Sequence, residues 1–309
     1  MRVQFDLPAG MATVIGSLPL SLRGAAQELL PRLPSAPSLV LATDGSGDAA
    51  TSGQIEPPGF GSFLAGLRGA TEPVVLSLTG PVTLELDLRR DRGVERGVSA
   101  VDLVVDRARH LVARVQAVVP GSQLMLFLQE PALANSMHPT FPMGTDEVAG
   151  LLGDVVDRLS DASSDADPLD HENSTIIGVQ VDGRADWSML MRTGIGALAA
   201  PIGAQLDTAA AELTRFLEGG GIMAWGAVPV DEPIGSSAER LWKRLSALWC
   251  ELARLGVDPI LLRERSIITP SAGLANFGVP QAERVIALTH DLAARVLHQT
   301  IGVRLSIGA

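Results

Sequence analysis

Eight short β-prone runs, closed by Gly, Pro or Asp and mostly followed by helical patterning, constrain this chain more than any other feature. They are Ala12–Gly16, Ser38–Ala42, Val74–Leu78, Leu124–Leu128, Thr175–Val181, Ala197–Ile202, Ile222–Val228 and Ser266–Ile268. None is joined to the next at the tight spacing of a hairpin, so the runs read as βαβ units around a parallel sheet. Eight such units in 309 residues predict an α/β chain folded as a single (β/α)8 TIM barrel, one domain spanning residues 1–309.

The intervening segments fit that reading. Val98–Val119 is amphipathic, with Val101, Val104, Val105, Ala108, Leu111, Val112 and Val115 along one stripe. Ala238–Leu255 carries Leu241, Leu245, Leu248, Leu252 and Leu255 at helical spacing; Ser236 and Ser237 are N-cap candidates and Gly256 is a stop signal. Asp44–Phe60 and Leu159–Ser174 read as loops from their Gly, Ser, Pro, Asp and Asn content. Gly219-Gly220-Gly221 reads as a helix stop before a strand rather than a phosphate cradle.

Composition excludes several function classes. Hydrophobic residues at 46% and charged residues at 19% belong to a globular chain. A formal charge of -11 argues against a nucleic-acid partner, which needs a basic face. Cys250 is the only cysteine, so there is no intrachain disulfide and no Cys-rich metal site; its place beside an apolar helix stripe reads as small packing. No apolar stretch reaches the roughly 18 residues of a membrane span. Met1–Gly16 lacks the basic-then-apolar pattern of a signal peptide, so a cytoplasmic protein is expected.

Active sites of such barrels lie where the strands exit at their carboxyl ends. Here the exits read Gly16-Ser17-Leu18-Pro19, Thr79-Gly80-Pro81, Gln129-Glu130-Pro131, Asp182-Gly183, Val228-Pro229 and Thr269-Pro270-Ser271-Ala272-Gly273. Each alone is an ordinary turn. Together, with Ile15, Leu78, Val82-Thr83-Leu84, Ala132-Leu133, Gly178 to Trp187 and Leu274-Ala275, their order resembles the cobalamin-independent methionine synthase family, within the wider superfamily that includes uroporphyrinogen decarboxylase. The resemblance is to the C-terminal catalytic barrel and its short single-barrel relatives, and runs from about Ala12 to the C-terminus.

The resemblance implies a homocysteine S-methyltransferase barrel whose zinc turns the substrate thiol into a nucleophilic thiolate. It also implies that Gly16 and Ser17 help hold an amino-acid ligand; an N-cap role for Ser17 stands equally. An Asp-Glu pair at the third-listed exit would contact the ligand's amino group, and Gln129 replaces the aspartate there while Glu130 is kept. An amide accepts a hydrogen bond but offers no charge to an ammonium. The family's zinc positions are occupied by Gln180, Asp182 and Ala272, and no carboxylate lies between Ala197 and Gln205 to replace the fourth ligand; Asp207 comes next. Zinc prefers thiolate and imidazole in a tetrahedral set, so no zinc or other cofactor is expected.

Gly16, Ser17, Gln129, Glu130, Gln180 and Asp182, with His138 on the following loop, are therefore candidates for binding a small polar ligand, an amino acid among the options. His110, His290 and His298 fall in helical patterns, while His171 and Glu172 precede a strand on the opposite face. Two further readings stay open: a methyltransferase with an altered metal site, and a non-catalytic regulatory partner of a true family member.

Overall fold

The computed structural model describes residues 7, 10–18, 56, 59–90, 98–161, 175–231 and 236–307. Its order is β1 (Met11–Ala12), α1 (Phe60–Gly66), β2 (Val74–Thr79), α2 (Pro81–Arg90), α3 (Ala100–Gln116), β3 (Leu124–Gln129), α4 (Thr145–Asp161), β4 (Thr175–Gln180), α5 (Trp187–Arg192), β5 (Ala197–Pro201), α6 (Ala210–Glu218), β6 (Ile222–Val228), α7 (Ala238–Arg254), α8 (Leu261–Glu264), β7 (Ser266–Pro270) and α9 (Val279–Ile307). Short 3-10 turns, Pro131–Asn135 and Leu206–Ala209, follow β3 and β5.

The strands form a seven-stranded, wholly parallel sheet in the order β1-β7-β6-β5-β4-β3-β2. This is the barrel type of sheet expected, but it is not closed among the described residues: β1 and β2 are its two edges. The expected run Ser38–Ala42 lies outside the described residues. The first run also differs from expectation. Its ladder covers Met11–Ala12; beyond it Thr13 N donates to Ile268 O at 3.0 Å and Ile15 N to Thr269 Oγ1 at 3.4 Å before the chain turns at Gly16.

Alternation along the strands sorts two apolar layers. Leu76 and Leu78 of β2, Leu126 and Leu128 of β3, Val179 of β4 and Trp225 of β6 share a core with the surrounding helices. The other face contributes Met11, Ile15, Val75, Met125, Phe127, Ala197, Ala199, Ile222, Ala224 and Ile267 to a second core that contains no helical residue. A sheet whose inner face packs only against itself must curl. Gly178 shows how tightly: a Cβ there would lie 2.7 Å from the Phe127 ring. Small residues at positions 178, 197, 199 and 224 make room for Phe127, which is fully buried.

The helices follow their caps. Ser99 accepts from Asp102 N at 3.3 Å and opens α3, and Ser237, not Ser236, accepts from Arg240 N at 3.3 Å and opens α7. Gly256 (φ 99°) and Gly220 (φ 86°) take left-handed conformations just beyond the ends of α7 and α6. Two expectations need correction. Cys250 is exposed, because it falls on the solvent side of α7 opposite Trp249 and Leu252. Leu159, Ser160 and Asp161 belong to α4 rather than to a loop, since Val155, Val156 and Leu159 continue its buried stripe. No described helix is long and apolar enough to cross a membrane.

Candidate functional site

Parallel register sets Thr79, Gln129 and Gln180, the last residues of β2, β3 and β4, at one level of the sheet with Ala199 in the middle of β5. Gln129 shares the inner face with Met125 and Phe127, and Gln180 shares it with Gly178. The two amides therefore meet: Gln129 Nε2 donates to Gln180 Oε1 at 2.9 Å, and Gln180 Nε2 donates to Asp182 Oδ1 at 3.1 Å. The direction is chemically fixed, because a carboxylate accepts and an amide must turn its nitrogen toward it. Gln180 is 4% exposed, whereas Asp182 is exposed to solvent. Even so, the protein around Asp182 thins the water available to its carboxyl group, and burial pushes its pKa up to about 6.

The β1 exit lies across from this row. Gly16 adopts φ 116°, and a Cβ there would stand 2.9 Å from Gln129 Nε2 and 3.0 Å from Gly273 Cα. Gly273 in turn faces Ser17: a Cβ on it would lie 2.9 Å from Ser17 Oγ, and Leu274 N donates to Ser17 O at 2.6 Å. Glycines at 16 and 273 thus let the first and last strand exits interlock beside Gln129. The fold brings Gly16, Gln129, Gln180 and Asp182 together, with Ser17 adjoining.

Glu130 goes elsewhere. It is fully buried, with Oε1 accepting from Val82 N at 2.8 Å and Oε2 accepting from Thr83 N at 2.7 Å and Thr83 Oγ1 at 2.6 Å. It thereby caps the first turn of α2, whose own start, Gly80-Pro81, has no side chain able to accept these amides. A Cβ at Gly80 would strike the carboxylate, so glycine is required there. Burial pushes the Glu130 pKa up to about 7, against the lowering pull of the Thr83 hydroxyl and the two amides. Gly80 and Thr83 were absent from the sequence candidates. The signal for them was parity: Glu130 continues the helix-facing set Leu124, Leu126, Leu128.

His138 is exposed and its ring Nδ1 sits 2.8 Å from Thr140 Oγ1, a contact within its own loop. Ala272 is half-buried and packs against the helix-side core. Of the three zinc positions of the resembled family, one is thus a methyl group, one an amide committed to its neighbours, and one a single carboxylate. These donors do not fit a zinc ion. Among the described residues, no group of three or more His, Cys, Asp or Glu is placed to hold a metal.

No protein-family model matches the sequence, and no curated protein matches it. Among solved structures, the chain is similar to a B12-independent methionine synthase from Shewanella sp. W3-18-1 in complex with selenomethionine. That similarity has a TM-score of 0.51 and 14% identity, covering 78% of this chain and 66% of the synthase. A candidate α-L-fucosidase from Bacteroides thetaiotaomicron VPI-5482 matches at TM-score 0.47 and 11% identity, over 96% of this chain and 99% of that one. A ruminal GH26 endo-β-1,4-mannanase matches at TM-score 0.40 and 9% identity, over 93% and 63%. At such identities the synthase likeness speaks to the fold, a barrel of the α/β type, and to nothing finer.

Proposed function

We propose that this chain is a divergent barrel of the cobalamin-independent methionine synthase type, which binds a small polar ligand at its mouth and does not use the zinc chemistry of that type. The observation that carries the reading is the hydrogen-bonded row Gln129–Gln180–Asp182, polar side chains at the level where barrel sites form, of which Gln180 and Asp182 stand at positions that bear metal ligands in the resembled family. Gly16 and Ser17 form the opposite wall, where backbone and hydroxyl groups supply further hydrogen bonds. His138 is assigned to the rim. On this reading the domain is one unit over residues 1–309.

Without a metal, nothing in the described mouth activates a thiol, so methyl transfer to homocysteine is not assigned. Two measurements test the proposal together. Protein purified without chelator is expected to hold no stoichiometric zinc; about one zinc per chain overturns the metal-free reading. A thermal-shift screen of homocysteine, methionine, folates and porphyrinogens is expected to find stabilisation by a small polar compound that is weakened in Gln180→Ala. Stabilisation indifferent to that change would place the ligand elsewhere.

A further inference from the structure

The amino-group contact that the family resemblance implies would come from an acidic pair at the β3 exit, yet neither residue there offers a free charge. Gln129 is neutral, and both oxygens of Glu130 are occupied by the first turn of α2. The negative charge in this row stands one strand over, on Asp182. Its Oδ1 accepts from Gln180, its only bond among the described residues, and it makes no ion pair with any of them. Asp182 is thus a solvent-facing carboxylate with one oxygen held by an amide and the other open, the arrangement that accepts a positively charged donor.

We propose that Asp182 is the anchor for a protonated nitrogen, an ammonium or amidinium group, on the ligand that the mouth takes. This rests on the ligand-binding reading above and names the ligand's class and its specificity-determining residue. The Gln129–Gln180 row holds the Asp182 carboxylate from one side through Oδ1 and leaves Oδ2 for the ligand. The net charge of -11 draws cations toward the molecule at long range.

Burial alone accounts for the raised proton affinity of Asp182, and no charged neighbour contributes: neither Arg184 and Asp186 on its own segment nor Glu130 beneath the neighbouring exit. A proton and a cationic ligand therefore compete for one oxygen pair. Affinity for the cation falls, toward a limit of about tenfold per pH unit, as pH drops below about 6.

The test uses the full chain, carbon-13 labelled, with n-butylammonium and 1-butanol, which match in shape and differ in charge. At pH 7.5 butylammonium is expected to shift the Asp182 carboxyl resonance and lower its titration midpoint, and butanol to do neither. Asp182→Asn is expected to lose at least tenfold in butylammonium affinity and Asp182→Glu to regain part of it, with unchanged amide spectra showing that both variants are folded. Equal responses to the two probes, or undiminished butylammonium binding in Asp182→Asn, overturn the proposal. If homocysteine and methionine perturb the mouth while butylammonium leaves Asp182 untouched, this inference alone falls. If no probe perturbs any mouth residue, the ligand-binding reading falls with it.

Discussion

Gln129 and Glu130 are consecutive in the chain and serve opposite faces of the sheet, which is the main lesson at the scale of single residues. Period-two alternation sends 129 into the mouth and 130 toward the helices, so a two-residue motif divides between recognition and scaffolding. The carboxylates also carry a pH signature. Folding raises Asp182 from its ordinary 3.8 to about 6 and Glu130 from 4.5 to about 7. An acid with a raised pKa binds its proton more tightly when folded, so this contribution to stability is fully present below about pH 4. It is lost as pH rises through about 6 to 7. Asp182→Asn is expected to remove the Asp182 part of that decline and leave the Glu130 part. Thermal melts from pH 4 to 8 decide it, and identical wild-type and variant profiles would show that the Asp182 carboxyl is not raised by the fold.

At the scale of elements, α2 begins with a sequence unable to cap itself and borrows its acceptor from β3. Glu130→Ala leaves two buried first-turn amides and the Thr83 hydroxyl without their acceptor, a loss of about 1–3 kcal/mol. Glu130→Gln retains one acceptor oxygen and is expected to recover part of it. Gly80→Ala drives a methyl into the same carboxylate, so its cost should shrink when Glu130 is already alanine. Chemical denaturation of the four members of that cycle checks the coupling; additive costs would mean that residues 80 and 130 do not touch in solution. Helix boundaries were legible in sequence where a local residue sets them, as at Ser237 and Gly256. The cap of α2 was not, because its acceptor stands 47 residues away from Thr83.

For the whole molecule the deciding feature is the inner core, which contains no helical residue. Phe127 fills it across Gly178, so Phe127→Ala is expected to cost about 3–5 kcal/mol through the cavity it leaves. Gly178→Ala overpacks the same point, and Phe127→Leu should relieve much of that strain. A double-mutant cycle by urea unfolding measures the relief, and strict additivity would contradict the contact. The chain by itself determined the kind of fold: β-prone runs at helix-length spacing permit little besides a parallel sheet wrapped in helices, and seven of those runs are strands of one. It also determined, in any conformation, that an alanine and two glutamines stand where the resemblance implies metal-binding or charged groups. Only tertiary structure decided what the remaining polar groups do. Register brings Gln129 to Gln180 across 51 residues, the curl brings Gly16 to Gln129, and a neighbouring helix claims Glu130 before any ligand can. These are contacts between distant segments, set by the pleat, the curl and the need to pair every buried acceptor, and no local pattern encodes them.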